Sequence, residues 1–458
     1  MKKKLPLNPY ALVLISFVLI ILIGSLLLIM PWAQSTGKWA WNNYFEALFT
    51  ATSATCVTGF DIYPSGISGQ LSLGGQIVVL AMIQLGGLGF ITVLAFFITL
   101  FKSKLQFKER YLLSQAVNST NFADVVSFVR KIIVISLSVE LIGALIGLPV
   151  FFTMFPGKPG QAIWNSIFLS VSAFNNAGFD VIGNTSLIPD AGTLIANLPN
   201  WATIYLNIYV MLLIVAGGIS FLVIIEVFSF KKKPKQWRVF TKIVLLTTAF
   251  LIIAGFVWFL LAECFKGSGS MNPLDALFQS ITSRTAGFAT YNQNDLTIGS
   301  KIVTSVLMFI GGSPLSTAGG IKTTTLFMIC LAIYSYLRGK SVSAFKRTYS
   351  TKMIVKALAL FFIAILAVIV CFIIISTIES GKNIPSENIL FEIMSSFGTV
   401  GLSTGAVDNL SVASNSILIL LMFAGRLGPI TFFQVFQMNT NKQGTTHHKL
   451  VEEDFLIG

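Results

Sequence analysis

Four short segments of this chain end in a glycine and share a pattern of small and polar residues. They read SATCVTG to Gly59, SAFNNAG to Gly178, TSRTAG to Gly287 and SSFGTVG to Gly401. Glycine suits backbone torsions that a residue with a Cβ resists, so such segments can present their carbonyl oxygens in one direction. Rings of carbonyl oxygens replace the hydration shell of a monovalent cation. The chemistry indicated by these residue types is therefore cation coordination by main-chain oxygens.

The elements that must position these segments recur with them. Each glycine follows, by nine or ten residues, a phenylalanine that lies in a short amphipathic stretch: Phe49, Phe168, Phe278 and Phe391. Each stretch predicts a helix of about ten residues, which is too short to cross a bilayer that needs about 20. Long apolar runs flank the four units, for example 10–32 and 357–377, and such runs are long enough to span.

The four units predict an all-α membrane protein: four parallel helix–half-helix–segment–helix repeats around one pseudo-fourfold pore, with eight transmembrane helices. Each repeat starts and ends on the same side, unlike the inverted repeats of many secondary transporters. The expected outgoing helices are 72–101, 203–230, 300–337 and 412–438. The predicted organisation is an N-terminus at 1–9, repeats at 10–101, 125–230, 241–337 and 353–438, and a C-terminal tail at 439–458.

Composition supports the membrane assignment and orients the chain. Hydrophobic residues make up 54% of the 458 residues and charged residues 11%, and the mean hydropathy is +0.81. The net charge of +13 is concentrated in basic clusters at 2–4, 102–131, 231–242 and 338–356. The positive-inside rule puts these clusters and both termini in the cytoplasm, as expected of a multi-pass protein of the cell membrane. This distribution argues against a nucleic-acid partner.

Other classes of function lack the residues that they need. The four cysteines (Cys56, Cys264, Cys330 and Cys371) have no metal-ligand or redox spacing. A membrane-embedded enzyme would need a nucleophile–base pair or metal ligands at depth, and the sequence shows no HExxH motif and no paired intramembrane aspartates. A receptor or scaffold would not need four repeated segments. The chain carries no GxGxxG motif after a strand and no Walker motif for a nucleotide.

The stretch GGSPLSTAGGIKTTT at 311–325 interrupts the third outgoing helix. Its four glycines and its proline cannot continue a straight helix. Lys322 would lie at membrane depth, where a charge is costly and usually faces a cavity. We interpret the stretch as a gating loop that lies under the segments and blocks the pore; a kinked helix with Lys322 snorkelling to the inner edge is the alternative. The candidate gating residues are Gly311, Gly312, Ser313, Gly319, Gly320, Lys322 and Arg426.

Two arginines are expected near the same path. Arg426, in the last outgoing helix, could hydrogen-bond loop carbonyls or pair with an acid such as Glu140 or Glu226. Arg284 lies within the third segment. We expect its side chain to point behind the pore, toward an acid such as Asp275, because a guanidinium in the pore would oppose cation flow.

These four repeats, each with one segment glycine, resemble the Trk/Ktr/HKT superfamily of potassium transporters over nearly the whole chain. They are most similar to the membrane subunits of bacterial Ktr uptake systems. In that superfamily the segments form a selectivity filter, the third repeat carries an intramembrane gating loop, and an arginine that matches Arg426 is part of the barrier. A serine at the first filter glycine goes with sodium preference, so Gly59 resembles the potassium-selective members.

The resemblance implies that potassium is bound by backbone carbonyls only. Asn175 and Asn176 are expected to hold the shape of their segment. The implied filter residues are Thr55, Cys56, Val57, Thr58 and Gly59; Phe174, Asn175, Asn176, Ala177 and Gly178; Ser283, Arg284, Thr285, Ala286 and Gly287; and Phe397, Gly398, Thr399, Val400 and Gly401.

The resemblance also implies partners. It predicts a homodimer in the lipid bilayer above a cytoplasmic ring of RCK-type nucleotide-binding subunits, so any nucleotide lies on the partner subunit. It implies sodium-dependent uptake as well, and the sequence assigns no site to a sodium ion. The principal prediction is potassium uptake through one pore per chain. A coupled cation symporter with an occluded midplane site is the alternative.

Overall fold

The structure, a computed structural model, describes residues 9–89, 125–183, 187–189, 193–228, 234–265 and 271–428. The predicted N-terminal residues 1–8, the end of the first repeat at 90–101, residues 229–230 and the chain from 429 onward, including the 439–458 tail, lie outside the described residues. Within them the fold is mainly helical, and a short β-hairpin of β1 (Ser343–Ala344) and β2 (Arg347–Thr348) joins the third unit to the fourth.

The helices follow the order of the four predicted units. The first unit holds α1 (Pro9–Leu28), α2 (Tyr44–Cys56), α3 (Gly66–Gln70) and α4 (Leu73–Leu88). The second holds α5 (Val125–Met154), α6 (Pro159–Phe174), α7 (Asn200–Gly218) and α8 (Phe221–Phe228). The third holds α9 (Val239–Phe259) with a π-helical extension (Leu260–Phe265), α10 (Pro273–Thr282), α11 (Ile298–Phe309) and α12 (Thr323–Leu337). The fourth holds α13 (Thr351–Ile378), α14 (Ser386–Gly398) and α15 (Val412–Leu427).

Several of these helices are long and apolar enough to cross a membrane. In the described part of the chain they are Ser127–Met154, Asn200–Gly218, Val239–Phe265 and Thr351–Ile378. Shorter apolar helices occupy the other predicted spans: Val13–Leu28, Leu73–Leu88, Ile298–Phe309, Thr323–Leu337 and Val412–Leu427. The multi-pass character of the chain follows from these helices, and the count of eight crossings stays a prediction.

The four half-helices are α2, α6, α10 and α14, and they are 13, 16, 10 and 13 residues long, so three exceed the expected ten. Proline opens α6 and α10, where the missing amide hydrogen is not needed. Their four repeated phenylalanines are all fully buried: Phe49, Phe168, Phe278 and Phe391. The repeated phenylalanine of the sequence is therefore a packing anchor of each half-helix.

The half-helices pack in a cyclic pattern. Each one lies against the incoming long helix of its own unit, namely α1, α5, α9 and α13. Each one also lies against the outgoing helix of the preceding unit. These second pairs are α2 with α15, α6 with α4, α10 with α7, and α14 with α11. Since the last unit contacts the first, the four units close on themselves.

The outgoing helices are shorter than predicted, and a glycine lies at or within two residues of the end of each: Gly89, Gly218, Gly311 and Gly428. The helix predicted over 203–230 was wrong as a continuous element: α7 ends at Gly218, Ile219 is extended, and α8 starts at Phe221. Similarly, α4 stops before Gly89, and α15 stops before Gly428, both of which have positive φ (78° and 80°). A positive φ is a usual helix terminator. The interruption at 311–325 therefore has a described parallel in the second unit, where α7 also stops at a pair of glycines and a second helix follows.

Candidate functional site

The four glycine segments, 55–59, 174–178, 283–287 and 397–401, meet at one place. A Cβ added to each segment glycine would collide with the carbonyl oxygen that precedes the glycine of the next segment; for Gly59 and Gly178 the separations would be 2.7 and 2.9 Å. The four contacts are Gly59 to Ala177, Gly178 to Ala286, Gly287 to Val400 and Gly401 to Thr58. The segments thus form a closed ring in chain order, and the C-terminal, partly negative ends of the four half-helices converge on it.

The backbone of the segments has a fourfold signature. The residue two before each glycine is left-handed although it is not glycine: Val57, Asn176, Thr285 and Thr399 have φ of 59°, 58°, 72° and 50°. The four glycines also have positive φ, from 73° to 109°. Such torsions cost of order 1 kcal/mol each in non-glycine residues and persist where the surroundings impose them. Their repetition indicates that the four segments share one conformation.

The segments are less extended than expected. Thr55 and Cys56 belong to the last turn of α2, and Phe174 is the last residue of α6. Phe397 and Gly398 likewise end α14, whereas Ser283 caps α10. The part of each segment outside its half-helix is three residues long in the first and fourth units, four in the second and five in the third, and each part contains the left-handed residue at which the chain turns.

A hydroxyl on the last turns of each half-helix holds the chain beside the segment glycine. Ser53 and Ser395 accept hydrogen bonds from the amides of Gly59 and Gly401, at 3.1 and 3.0 Å. In the other two units Ser172 Oγ accepts from Phe179 N at 3.1 Å, and Thr282 Oγ1 donates to Phe288 O at 2.6 Å. The sequence analysis missed these roles. The available signal was the serine or threonine that begins all four motifs.

Further hydroxyls in the segments are buried. Thr55, Thr58, Thr285 and Thr399 are fully buried. Among the described residues none of their hydroxyl oxygens has a hydrogen-bond partner. A buried polar atom without a partner is rare and calls for a water or an ion. Four hydroxyls in the segments are therefore open to a water or an ion, and that of Thr399 lies against Gly319 of the 311–325 loop.

Behind the second segment lies a buried polar network. The Asn175 amide donates to Glu140 Oε1 and to Gln84 Oε1, both at 3.0 Å. Gln84 Nε2 donates to both oxygens of Glu140, at 3.0 and 3.1 Å. Asn175 thus links its segment to α4 and α5 through Glu140, one of the two acids that the sequence had suggested as possible partners of Arg426.

The 311–325 loop lies against the ring from one side. Thr317 Oγ1 donates to the carbonyls of Gly217 and Phe174, at 3.0 and 3.3 Å. Ser313 N donates to Gly218 O at 3.2 Å. Gly319 packs directly on Thr399, with no room for a Cβ. The loop contacts residues of the second and fourth segments and satisfies the terminal carbonyls of α7.

Two basic side chains hold this loop through carbonyl oxygens. Lys322 Nζ donates to Ala318 O at 2.7 Å and to Gly319 O at 3.3 Å. Arg426 donates to Thr317 O. It also donates to the carbonyls of Gly86 and Gly87, at 2.5 and 3.0 Å, at the end of α4.

Of the two expectations for Arg426, carbonyl contact is the one observed. Glu140 instead contacts Gln84 and Asn175, and Glu226 accepts from Thr241. Helix C-termini leave carbonyls without intrahelical partners. The end of α4 therefore supplies acceptors that suit a guanidinium better than a distant acid does.

The expected pairing of Arg284 with Asp275 is not formed. Asp275 Oδ2 accepts from Asn272, whereas Arg284 Nη1 donates to Thr248 O at 3.4 Å. The side chain does point away from the ring, toward α9, and it is buried. The predicted partner was wrong because Asp275 lies in the first turn of α10, whereas Arg284 follows the last turn of that helix.

Carboxylates lie on the side of the ring where the chain leaves the segment glycines. Asp61 and Asp180 each follow a segment glycine by two residues. Burial, followed by the nearby Asp408 and Asp180, raises the pKa of Asp61 to about 7. Glu392, in α14, accepts from Ser403 Oγ and from Thr404 N, at 2.9 and 2.8 Å. These carboxyls place acidic oxygens beyond the segment glycines, and in the described residues no group of three or more metal-ligating side chains gathers.

Comparisons with known proteins agree with this architecture. Residues 9–444 match a family model described as TrkH, cation transport protein. The potassium/sodium uptake protein NtpJ of Enterococcus hirae is 34% identical, over 100% of this chain and 99% of that protein. The Ktr system potassium uptake protein B of Bacillus subtilis is 35% identical, over 96% and 95%. These relatives are named as uptake proteins, not as enzymes.

A solved structure shares the fold. The crystal structure of the potassium transporter TrkH from Vibrio parahaemolyticus matches with a TM-score of 0.69, over 95% of this chain and 86% of that one, at 18% identity. The likeness extends to nearly all helices, and the family match covers nearly the whole sequence. This chain therefore belongs to the TrkH family of cation transport proteins.

Proposed function

We propose that this chain takes up potassium ions across the cell membrane through a pore formed where its four glycine segments meet. The observation that carries the proposal is the closed ring of Thr58, Ala177, Ala286 and Val400, each carbonyl lying against the glycine of a neighbouring segment. Four carbonyls around one axis match the coordination that a monovalent cation needs. The proposed ligands also include the hydroxyls of four threonines that have no partner in the described residues: Thr55, Thr58, Thr285 and Thr399. This proposal differs from the sequence-based expectation that backbone carbonyls alone bind the ion.

The proposal that the transported ion is potassium rests on the names of the relatives. NtpJ is named a potassium/sodium uptake protein, and the Ktr relatives are named potassium uptake proteins. Gly59 supports the same choice, because a serine there would go with sodium preference in the resembling superfamily. Sodium dependence belongs to the proposal as well, without an assigned site.

The 311–325 loop is proposed as the gate. The loop contacts residues of two segments. Thr317 bonds it to the end of α7, and Arg426 bridges it to the end of α4. The repeat bounds and the eight crossings are proposed as given above, with both termini in the cytoplasm.

The proposed assembly is a homodimer with a separate cytoplasmic regulatory ring of RCK type, which carries any nucleotide. Its support is the naming of relatives as parts of a Ktr system. A coupled symporter would differ from this pore by a fixed ion stoichiometry.

Growth tests the function directly. A potassium-uptake-deficient bacterium that expresses this chain should grow at low potassium, with and without added sodium, whereas the empty vector should not allow growth. The proposal fails if the protein reaches the membrane and growth is not restored at any sodium concentration.

Loss of one bracing hydroxyl should relax selectivity. Ser395→Ala leaves the half-buried amide of Gly401 without its acceptor. An unsatisfied buried donor costs about 1–3 kcal/mol, so we expect potassium-over-sodium discrimination to fall by about fivefold or more. Competition of sodium with rubidium uptake measures it.

The matched control for this change is Ser416→Ala. That hydroxyl is on the exposed face of α15 and bonds its own helix at Val412 O, so discrimination should be unchanged. Ser395→Thr, which keeps the hydroxyl, should retain most of the selectivity. Equal loss in Ser395→Ala and Ser416→Ala would contradict the bracing role.

External acid should reduce uptake through Asp61. With its pKa raised to about 7, this carboxyl is mostly ionised at about pH 8 and mostly neutral at about pH 6. One negative charge near the mouth contributes about 0.5–1 kcal/mol, or about two- to fivefold in apparent potassium affinity. Affinity should therefore rise with external pH in the native chain and stay low and nearly flat in Asp61→Asn. An unchanged pH profile in that variant would rule out Asp61 as the titrating group.

A further inference from the structure

Arg284 is a buried cation without a counter-charge. Its side chain is 7% exposed, and among the described residues its one hydrogen bond is the 3.4 Å contact to Thr248 O. Its Nε is buried and has no partner. Taking an isolated charge out of water costs several kcal/mol unless an opposite charge or hydrogen bonds compensate it. Since no carboxylate of the described chain pairs with Arg284, something else must supply that compensation.

The guanidinium lines a small cavity between α7, α9, α10 and the 311–325 loop, with a volume of about 20 Å³. Thr248 also lines it, and the buried Thr248 hydroxyl has no partner in the described residues. Aliphatic side chains such as Ile252 and Ile281 form much of the rest of the wall. A cavity needs about 10–15 Å³ to hold one water-sized occupant. The site therefore combines one fixed positive charge, two unused donors and room for a single small particle.

We propose that this cavity binds one small monovalent anion of halide type, with chloride as the physiological example. The guanidinium supplies charge-assisted hydrogen bonds, which are the stronger kind, and the Thr248 hydroxyl supplies a further donor. No acidic side chain lines the cavity, so nothing there repels an anion.

The anion would act on the neighbouring ion path. Arg284 stands two residues before Ala286, whose carbonyl belongs to the ring. An uncompensated guanidinium lowers the occupancy of a nearby cation, because like charges repel. A bound halide cancels that charge and favours potassium in the ring. This effect on transport rests on the proposed function, whereas halide binding does not.

Bromide binding tests the site itself. Crystals of the full chain grown with bromide in place of chloride should show an anomalous peak within hydrogen-bond distance of the Arg284 guanidinium. Titration of the purified protein with bromide should give saturable binding. Thr248→Val should weaken it by about fivefold, the loss of one hydrogen bond, and Thr248→Ser should restore it. A water at that position with no anomalous signal would overturn the inference, as would binding that is unchanged in Thr248→Val.

Flux measurements test the consequence. The flux is measured in liposomes with the voltage set by a proton ionophore. Replacing chloride by gluconate should lower the apparent potassium affinity of the native chain by about twofold or more, because the unit charge of Arg284 is then uncompensated near the ring. Bromide should substitute for chloride. Arg284→Gln should remove the dependence on the anion and Arg284→Lys should keep it. Equal affinity in chloride and gluconate would overturn the link to transport, while bromide binding without any potassium flux would count against the proposed function instead.

Discussion

Gly401→Ser is expected to lose most discrimination between potassium and sodium, whereas Gly405→Ser is expected to keep it. A Cβ at Gly401 would collide with Thr58 O and would lie 2.8 Å from the Cα of Gly59. The neighbouring segment must therefore move, and the ring of carbonyls changes its diameter. A change of about 1.4 kcal/mol between the two ions is a tenfold loss of discrimination. Rubidium uptake in the presence of sodium measures the ratio.

Gly405 is the matched control because its backbone strain is the same. Its φ is 82°, close to the 89° of Gly401, but an added Cβ would have no neighbour within 4 Å. A serine there carries the left-handed penalty without a collision. If both variants lose selectivity equally, strain in the connecting chain, and not the contact between segments, determines selectivity.

Deletion of residues 313–320 should raise cation flux. The loop contacts the ring through Thr317 and Gly319, and each of its hydrogen bonds is worth about 1 kcal/mol. The deletion removes several such bonds and also removes the obstruction. We therefore expect cation flux to increase on the order of tenfold or more. The ends of the loop are already joined, since Ile321 N donates to Phe309 O at 3.1 Å, so the remaining chain can close. Rubidium efflux from liposomes measures the change.

Deletion of the β-hairpin is the control for this experiment. Residues 343–348 also form a loop with paired ends, because Tyr349 N donates to Val342 O at 3.0 Å. Their removal should leave flux unchanged. Arg426→Gln should give a smaller increase than the loop deletion, since it removes the link from the loop to α15 and α4 but leaves the loop itself in place. A folded 313–320 deletion with native flux would show that the loop is not a barrier.

The repeated units could be predicted because their signals are local. Each glycine segment, its upstream phenylalanine and its flanking apolar runs are contiguous in sequence. The left-handed residues could not be predicted, since valine and threonine resist that conformation; at Val57 and Thr399 the ring imposes it.

Helix breaks and charge partners were harder for different reasons. A Gly-Gly pair lies at or near the ends of α4, α7 and α11 (Gly86–Gly87, Gly217–Gly218 and Gly311–Gly312); the third pair was recognised from the sequence, whereas the first two were overlooked because the runs are apolar on both sides. In the fourth unit Arg426 stands where the others have the second glycine, so its side chain reaches the carbonyls exposed by the α4 break. Partners for Arg284 and Arg426 depend on side-chain direction in the folded chain. Neither the proximity of an acid in the sequence nor its residue type predicts that direction.

The central claim is that potassium is coordinated where the four segments meet. Thallium, a heavy substitute for potassium, locates the ion by anomalous diffraction from crystals of the full chain. We expect thallium density on the shared axis, in contact with the carbonyl oxygens of Thr58, Ala177, Ala286 and Val400, and we expect Gly401→Ser to lose this density. Density confined to acidic side chains away from that axis, with none between the four carbonyls, would contradict it.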